Sequence, residues 1–136
     1  MPIRVKPKEY EVALDAAGRM TAEGENALQT GAGWTPEHLL LAAVARCGVN
    51  SLTWFADKDG IEVEAVAKAT GVIARREDAR NAFVDIHCHL EVKLAPAPEE
   101  GKLQPLLMRA ERGCFIGNSL DPHPQYSWVV NGKEIL

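Results

Sequence analysis

The longest apolar segment of the chain, from Trp34 to about Lys58, predicts one long helix. Thr35 suits the helix cap, Pro36 suits the first helical position, and Glu37 places negative charge at the positive end of the helix dipole. Asp59-Gly60 ends the segment as helices commonly end. At about 1.5 Å per residue, such a helix is roughly 33 Å long, which is about the width of a small domain.

The distribution of side chains around this helix predicts burial on nearly every side. The apolar run from Leu39 to Ala45 covers all directions around the axis, and one narrow polar stripe remains, formed by Arg46, Asn50, Thr53 and Asp57. A helix of this kind needs cover on most of its surface. A chain of 136 residues has little surface to spare for that purpose, so we expect a homodimer with the helix near the interface.

The rest of the chain alternates between strands, turns and one further helix. Residues 17–19 predict a turn, and residues 99–113 predict a helix with Pro105 in its first turn. Alternating or clustered apolar residues predict strands at 3–5, 10–14, 61–70, 84–94 and 126–130. This order of elements predicts an α+β fold, and the length predicts a single domain over residues 1–136.

Composition narrows the classes of partner. The hydrophobic fraction of 46% and the charged fraction of 25% are typical of soluble globular proteins. The net charge of −4 and the lack of a basic patch argue against nucleic acid as a partner. We see no signal peptide and no run of membrane-spanning length, and therefore expect a cytoplasmic protein that does not bind membranes. In that compartment three cysteines indicate redox or metal chemistry more than a disulfide scaffold.

Cys47 and Cys114 each fall at or within a helical segment, and Cys88 falls on the core side of a predicted strand. Helical spacing places Cys47 on the same apolar flank as Leu40, Val44, Ser51 and Trp54. Any one of these cysteines, taken singly, is more often a buried apolar residue than a nucleophile.

Two motifs around these cysteines, taken jointly, point to a family. Residues 34–47 read WTPEHLLLAAVARC, and residues 110–120 read AERGCFIGNSL. The Pro-Glu-x-Leu-Leu start, the cysteine after it, and the second cysteine after Ala-Glu resemble the OsmC/Ohr family of bacterial thiol peroxidases, which reduce organic hydroperoxides. The resemblance implies antiparallel sheets packed around a long central helix in an intertwined homodimer.

The resemblance also implies roles for single residues. Cys47 matches the cysteine that attacks the peroxide, and Cys114 matches the resolving cysteine that forms a disulfide with it. Glu37 matches the glutamate of the family, and Arg19 matches the arginine of its turn motif. The oxidised pair would be reopened by an external dithiol, which in the family is often of the lipoyl type. No metal or organic cofactor is implied.

This chemistry requires a cation near Cys47. Only the thiolate attacks a peroxide, and apolar surroundings raise the pKa of a thiol. Arg46 lies about 100° away around the helix, so a residue from elsewhere in the fold must approach. Arg19 is the best candidate, with Glu37 holding its guanidinium group through two hydrogen bonds. The Cα atoms of the two cysteines must also come within roughly 4.4–6.8 Å for the disulfide to form.

The apolar neighbours predict substrate preference, because each buried CH₂ contributes about 0.8 kcal/mol. We expect an organic hydroperoxide with a hydrocarbon tail, bound by Leu40, Val44, Trp54 and Phe115. Two other hypotheses stay open. One is a non-catalytic protein that binds a small apolar ligand at the dimer interface, and the other is a metal site of Cys47, Cys114 and a histidine. His87 and His89 also share a strand face, although no third ligand follows at a diagnostic spacing.

Overall fold

A computed structural model describes residues 7–136, so the predicted strand at 3–5 lies outside the described residues. Contacts group the chain into two compact units that divide between Thr35 and Pro36. The prediction of a single domain stays a prediction. The first unit holds the strands β1 (Val12–Leu14) and β2 (Met20–Ala22), which pair in antiparallel fashion. Gly18, at φ 84°, lies in the predicted turn between them.

The second unit holds all the helices and one sheet. Its elements are α1 (Pro36–Lys58), β3 (Glu62–Arg75), β4 (Asn81–Ala95), α2 (Leu103–Arg112), α3 (Phe115–Asn118), β5 (Gln125–Val130) and β6 (Lys133–Ile135). The strand order is β3-β4-β5-β6, and neighbouring strands are antiparallel except for the parallel pair β4 and β5. A parallel pair needs a crossover connection, and α2 and α3 supply it between β4 and β5. The α+β class is confirmed.

The predicted long helix is confirmed by α1, which spans 23 residues. It ends at Gly60, whose φ of 71° is in the left-handed region, and the N–H of Ile61 donates to the carbonyl of Ala56. Val44, Leu52 and Ala56 are completely buried, and α1 packs on β3, β4 and α2. These contacts make α1 the core helix of the second unit.

We expected no run of membrane-spanning length, and by the criteria of helix length and composition this expectation was wrong. Within residues 7–136, α1 is long and apolar enough to do so. Arg46 lies within this apolar run, but a single charged residue leaves the mean hydropathy of the helix high enough for a membrane span. Most of that stretch is not buried within the chain. Much of the apolar surface of α1 therefore remains uncovered in a single copy.

The sheet departs from the predicted pattern at a β-bulge in β4. Val72 pairs with Asp85 and Ile73 pairs with Phe83, so Val84 is the extra residue and is exposed. The sequence alternation, which places Val84 on the same side of the strand as Cys88, was therefore wrong at this residue. Beyond the bulge the predicted alternation holds, and the buried residues are Ile86, Cys88, Leu90, Val92 and Leu94. Strand β3 runs on past residue 70, and β6 was not predicted.

The predicted second helix is confirmed as α2, with Pro105 in its first turn. Its buried face consists of Leu106, Leu107 and Ala110. The short α3 that follows was not predicted. Its N-cap is Cys114, whose sulfur accepts a hydrogen bond from the N–H of Gly117 at 3.4 Å. The junction between α2 and α3 therefore forms a corner at which the side chain of Cys114 faces the interior.

Replacing Leu52 by alanine tests the importance of the core around α1. Leu52 is completely buried, so Leu52→Ala should lower the free energy of unfolding by about 2–5 kcal/mol, measured by urea denaturation. Leu136→Ala is the matched control, because the side chain of Leu136 is fully exposed and its loss should change stability little. Equal stability of the two variants would contradict this account of the core.

Candidate functional site

The two cysteines of the predicted pair come together in the second unit. Cys47 lies in the middle of α1 and is half-buried, whereas Cys114 is completely buried at the start of α3. Both are free thiols, and their side chains are hydrogen-bonding neighbours although they are far apart in the sequence. The structure therefore brings together the two sulfurs on which the predicted chemistry depends.

Close packing of the corner between α2 and α3 on α1 produces this contact. A Cβ atom at Gly113 would lie 2.6 Å from the ring of Phe55 and 3.0 Å from Ser51 Oγ, both on α1. The hydroxyl of Ser51 donates a hydrogen bond to the carbonyl oxygen of Ala110 at 2.6 Å. Only glycine fits at position 113, and the residue that follows it is Cys114.

Burial dominates the electrostatics of Cys47. Loss of solvent raises the pKa of the Cys47 thiol, and the adjacent Cys114 thiol raises it further. The backbone N–H groups of Ile116 and Phe115 hydrogen-bond to the Cys47 sulfur and act in the opposite direction. Because burial is the largest of these effects, the reactive thiolate needs further help from a positive charge.

Cys88 is a third sulfur close to this pair. It faces the core from β4 as predicted and is completely buried. Burial, followed by the proximity of Cys114 and Cys47, raises the pKa of Cys88 to about 11. A thiol of this kind is unreactive at neutral pH, so Cys88 keeps its predicted role as a core residue.

Tyr126 also lies at the site, although no motif in the sequence pointed to it. Its hydroxyl oxygen is buried next to the Cys114 thiol, and burial raises the pKa of this phenol far above its ordinary value. Its predicted place at the start of a closing strand is confirmed, but no spacing rule links that strand to α3. Only the folded chain reveals this contact.

The predicted cation lies in the first unit. The guanidinium group of Arg19 pairs with the carboxylate of Asp15 at 3.0 Å, and both side chains are exposed. The N–H of Arg19 also donates to this carboxylate and is the main cause that holds the pKa of Asp15 below its ordinary value. A role for Arg19 beside the Cys47 thiolate stays a prediction, while Arg46 is exposed on α1 as expected.

The other predicted site residues lie at different places in the second unit. Glu37 and Leu40 line a cavity of about 500 Å³ at the start of α1. Val44 is completely buried in the core. Trp54 is exposed, with the ammonium group of Lys58 4.9 Å from the centre of its ring, and Phe115 is exposed at the start of α3. Of these residues, Phe115 contacts Cys47 through its backbone N–H.

The two histidines on β4 both lie within hydrogen-bonding distance of one serine side chain. His87 Nε2 and His89 Nδ1 lie 2.9 and 2.6 Å from Ser127 Oγ. Within residues 7–136, no group of three or more His, Cys, Asp or Glu side chains is placed to hold a metal ion.

Comparison with known proteins agrees with this fold. A family model described as OsmC-like protein matches residues 29–129. The chain belongs to the OsmC-like family. This membership confirms the family predicted from the two cysteine motifs. No curated protein matches the sequence.

Solved structures show that the OsmC-like fold extends over nearly all of the chain. An OsmC-like protein of unknown function from Vibrio cholerae has a TM-score of 0.78 at 15% identity, with coverage of 90% of this chain and 100% of that chain. An OsmC-like protein from Mycoplasma pneumoniae has a TM-score of 0.66 at 17% identity, covering 93% and 96%. The organic hydroperoxide resistance protein OhrB of Bacillus subtilis has a TM-score of 0.55 at 20% identity, covering 90% and 96%.

Alkylation of the thiols tests the electrostatics of the site. Because the pKa of Cys47 is raised, iodoacetamide should modify it slowly at pH 7, and the rate should rise about tenfold per pH unit up to pH 9. Cys88 and Cys114 are completely buried and should be modified later, as measured by peptide mass spectrometry. A rate that is already constant from pH 7 upward would show instead that the pKa of Cys47 is lowered.

Proposed function

We propose that this OsmC-like protein is a cysteine-based peroxidase that reduces organic hydroperoxides. The observation that carries the proposal is the contact between the Cys47 and Cys114 thiols. The family supports the same chemistry, since a structural neighbour with this fold is named an organic hydroperoxide resistance protein. Detoxification of peroxides in the cytoplasm is the corresponding physiological role.

The reaction has three balanced steps. The Cys47 thiolate attacks a peroxide oxygen, so that an S–O bond forms, the O–O bond breaks, and the alkoxide leaves as an alcohol after taking a proton. The Cys114 thiolate then attacks the Cys47 sulfur, which forms the disulfide and releases hydroxide as water. An external dithiol, for which we propose the lipoyl type, reduces this disulfide and is itself oxidised to a disulfide.

We infer that two kinds of group favour the thiolate form of Cys47, namely backbone N–H groups beside it and a charged side chain from elsewhere in the chain. The N–H groups of Ile116 and Phe115 favour the thiolate, but burial outweighs them. We infer that Arg19 supplies the missing positive charge in the assembled protein and that Glu37 holds its guanidinium group. A guanidinium group can pair with a thiolate and also polarise the peroxide.

We infer that the assembled protein is a homodimer. Large apolar side chains are exposed in one copy, among them Trp54, Val66, Val72, Ile73 and Phe115. Most of the apolar stretch of α1 is likewise not buried within the chain. A second copy that covers this surface would also dry the surroundings of Cys47 and give the hydrocarbon tail of the substrate a place to bind.

Replacement of each cysteine separates the proposed roles. Cys47→Ser should reduce peroxide turnover with a dithiol to the uncatalysed rate, because the nucleophile is lost. Cys114→Ser should allow one turnover and leave a sulfenic acid on Cys47 that excess peroxide oxidises further. Cys88→Ala is the matched control and should keep turnover within about twofold, as measured by dithiol consumption. Full activity of Cys47→Ser would refute the proposed function.

A series of hydroperoxides with longer alkyl chains tests the predicted preference. Each methylene that becomes buried near Leu40, Trp54 and Phe115 should raise kcat/KM by roughly fourfold. Hydrogen peroxide, which has no hydrocarbon tail, should be the poorest substrate in steady-state assays. Equal kcat/KM values for hydrogen peroxide and a bulky alkyl hydroperoxide would contradict an apolar substrate site.

One observation favours the non-catalytic alternative. The raised pKa of Cys47 keeps this thiol mostly protonated at neutral pH unless a cation approaches. A protonated thiol in apolar surroundings suits the binding of a small apolar ligand. Under this alternative, both Cys47 and Cys114 would remain as free thiols after treatment with an organic hydroperoxide.

A further inference from the structure

The hydroxyl group of Tyr126 requires a physical explanation. Within residues 7–136, its oxygen is the one buried side-chain nitrogen or oxygen atom that makes no hydrogen bond, either to sulfur or to any other acceptor. Buried hydroxyl groups are nearly always hydrogen-bonded, because the loss of water is otherwise uncompensated. A phenylalanine at this position would avoid that cost, so the hydroxyl has either another partner or a function.

The neighbours of this hydroxyl are sulfur atoms. Tyr126 on β5 pairs in register with Cys88 on β4, so the two residues lie side by side in the sheet. A Cβ atom at Gly117 would lie 2.4 Å from Tyr126 Oη and 3.3 Å from Cys114 Sγ. Because position 117 has no side chain, the phenol oxygen and Cys114 Sγ lie on either side of the same open space, close enough for the Cys114 thiol to raise the pKa of Tyr126.

The surrounding residues fix the phenol in this position. The ring of His123 packs edge-on against the ring of Tyr126, with 6.3 Å between their centres. His123 Nδ1 lies 3.0 Å from the carbonyl oxygen of Gly117, which ties this ring to α3. His123 and the absence of a side chain at Gly117 together hold the Tyr126 hydroxyl near Cys114, the adjacent group that can accept its hydrogen.

We propose that Tyr126 is a positioning residue for the thiol pair, and that its hydroxyl donates a hydrogen bond to Cys114 Sγ that stabilises the reduced state. The part of this proposal that concerns the catalytic cycle rests on the function proposed above. Burial raises the pKa of Tyr126, so the phenol stays protonated and remains a donor at neutral pH. The N–H of Gly117 donates to the same sulfur at 3.4 Å.

The consequence of this hydrogen bond is a shift in redox equilibrium. A thiol or thiolate sulfur accepts a hydrogen bond better than a disulfide sulfur, so the bond is stronger before oxidation. Stabilisation of the dithiol form raises the reduction potential of the pair, so its disulfide becomes a stronger oxidant. The Tyr126 hydroxyl should therefore make the Cys47–Cys114 disulfide easier for an external dithiol to reduce, which helps the last step of the cycle.

Equilibration with glutathione measures this effect without any peroxide. Glutathione disulfide oxidises the pair to the Cys47–Cys114 disulfide and is reduced to two glutathione thiols. Tyr126→Phe removes only the hydroxyl and should raise the equilibrium constant for this oxidation about fivefold. Tyr10→Phe is the matched control, because Tyr10 is exposed in the first unit and its variant should equal the wild type. An unchanged constant in Tyr126→Phe would overturn the proposal.

Gly117→Ala tests the same contact with the phenol retained. Its methyl group would occupy the place of the Tyr126 hydroxyl, so the variant should shift the constant in the same direction. Combining Gly117→Ala with Tyr126→Phe should add little to the effect of Tyr126→Phe alone, because both changes break one contact. Additive effects of the two substitutions would contradict a shared contact. If Tyr126→Phe does not fold, an unchanged equilibrium constant in Gly117→Ala would overturn the proposal.

These measurements also distinguish this proposal from the proposed function. If hydroperoxide leaves the wild-type thiols intact while Tyr126→Phe shifts the glutathione equilibrium, the peroxidase function fails and the role of Tyr126 stands. If hydroperoxide oxidises the pair while the equilibrium is the same in all variants, the peroxidase function stands and the role of Tyr126 fails.

Discussion

The close approach of the corner between α2 and α3 to helix α1 is the contact on which the candidate site depends. Gly113 leaves no room for a side chain against Phe55 and Ser51, and Ser51 fastens the end of α2 through the carbonyl of Ala110. The residue after this glycine is the cysteine that meets Cys47. The proximity of the two thiols thus depends on close packing at this corner, and a side chain at position 113 would force Phe55 or the corner to move.

Burial of sulfur has two opposite consequences in this protein. It raises the pKa of Cys47 and so limits the thiolate needed for the proposed attack, yet under the proposed function it also favours substrates with apolar tails. Backbone donors from the start of α3 reduce the first effect, and the Tyr126 phenol adds a donor for Cys114. Backbone hydrogen-bond donors beside a half-buried thiol therefore partly offset the cost of forming a thiolate there.

The sequence predicted those parts of the fold that depend on local patterns. The caps and apolar run of α1, the turn before Arg19 and the inward alternation from Ile86 to Leu94 all follow from short-range rules. The bulge at Val84 could not be predicted, because it exists only in the pairing of β3 with β4. Tyr126 was missed for a similar reason, since only tertiary packing places its hydroxyl beside a cysteine from another element.

The two cysteine motifs pointed to two thiols that the structure places next to each other, whereas their roles and that of Arg19 remain predictions. The most direct test of the central claim is peptide mapping after one equivalent of an organic hydroperoxide. The account predicts one internal disulfide that joins Cys47 to Cys114, with Cys88 still free. Recovery of all three free thiols, or a disulfide that includes Cys88 instead, would contradict it.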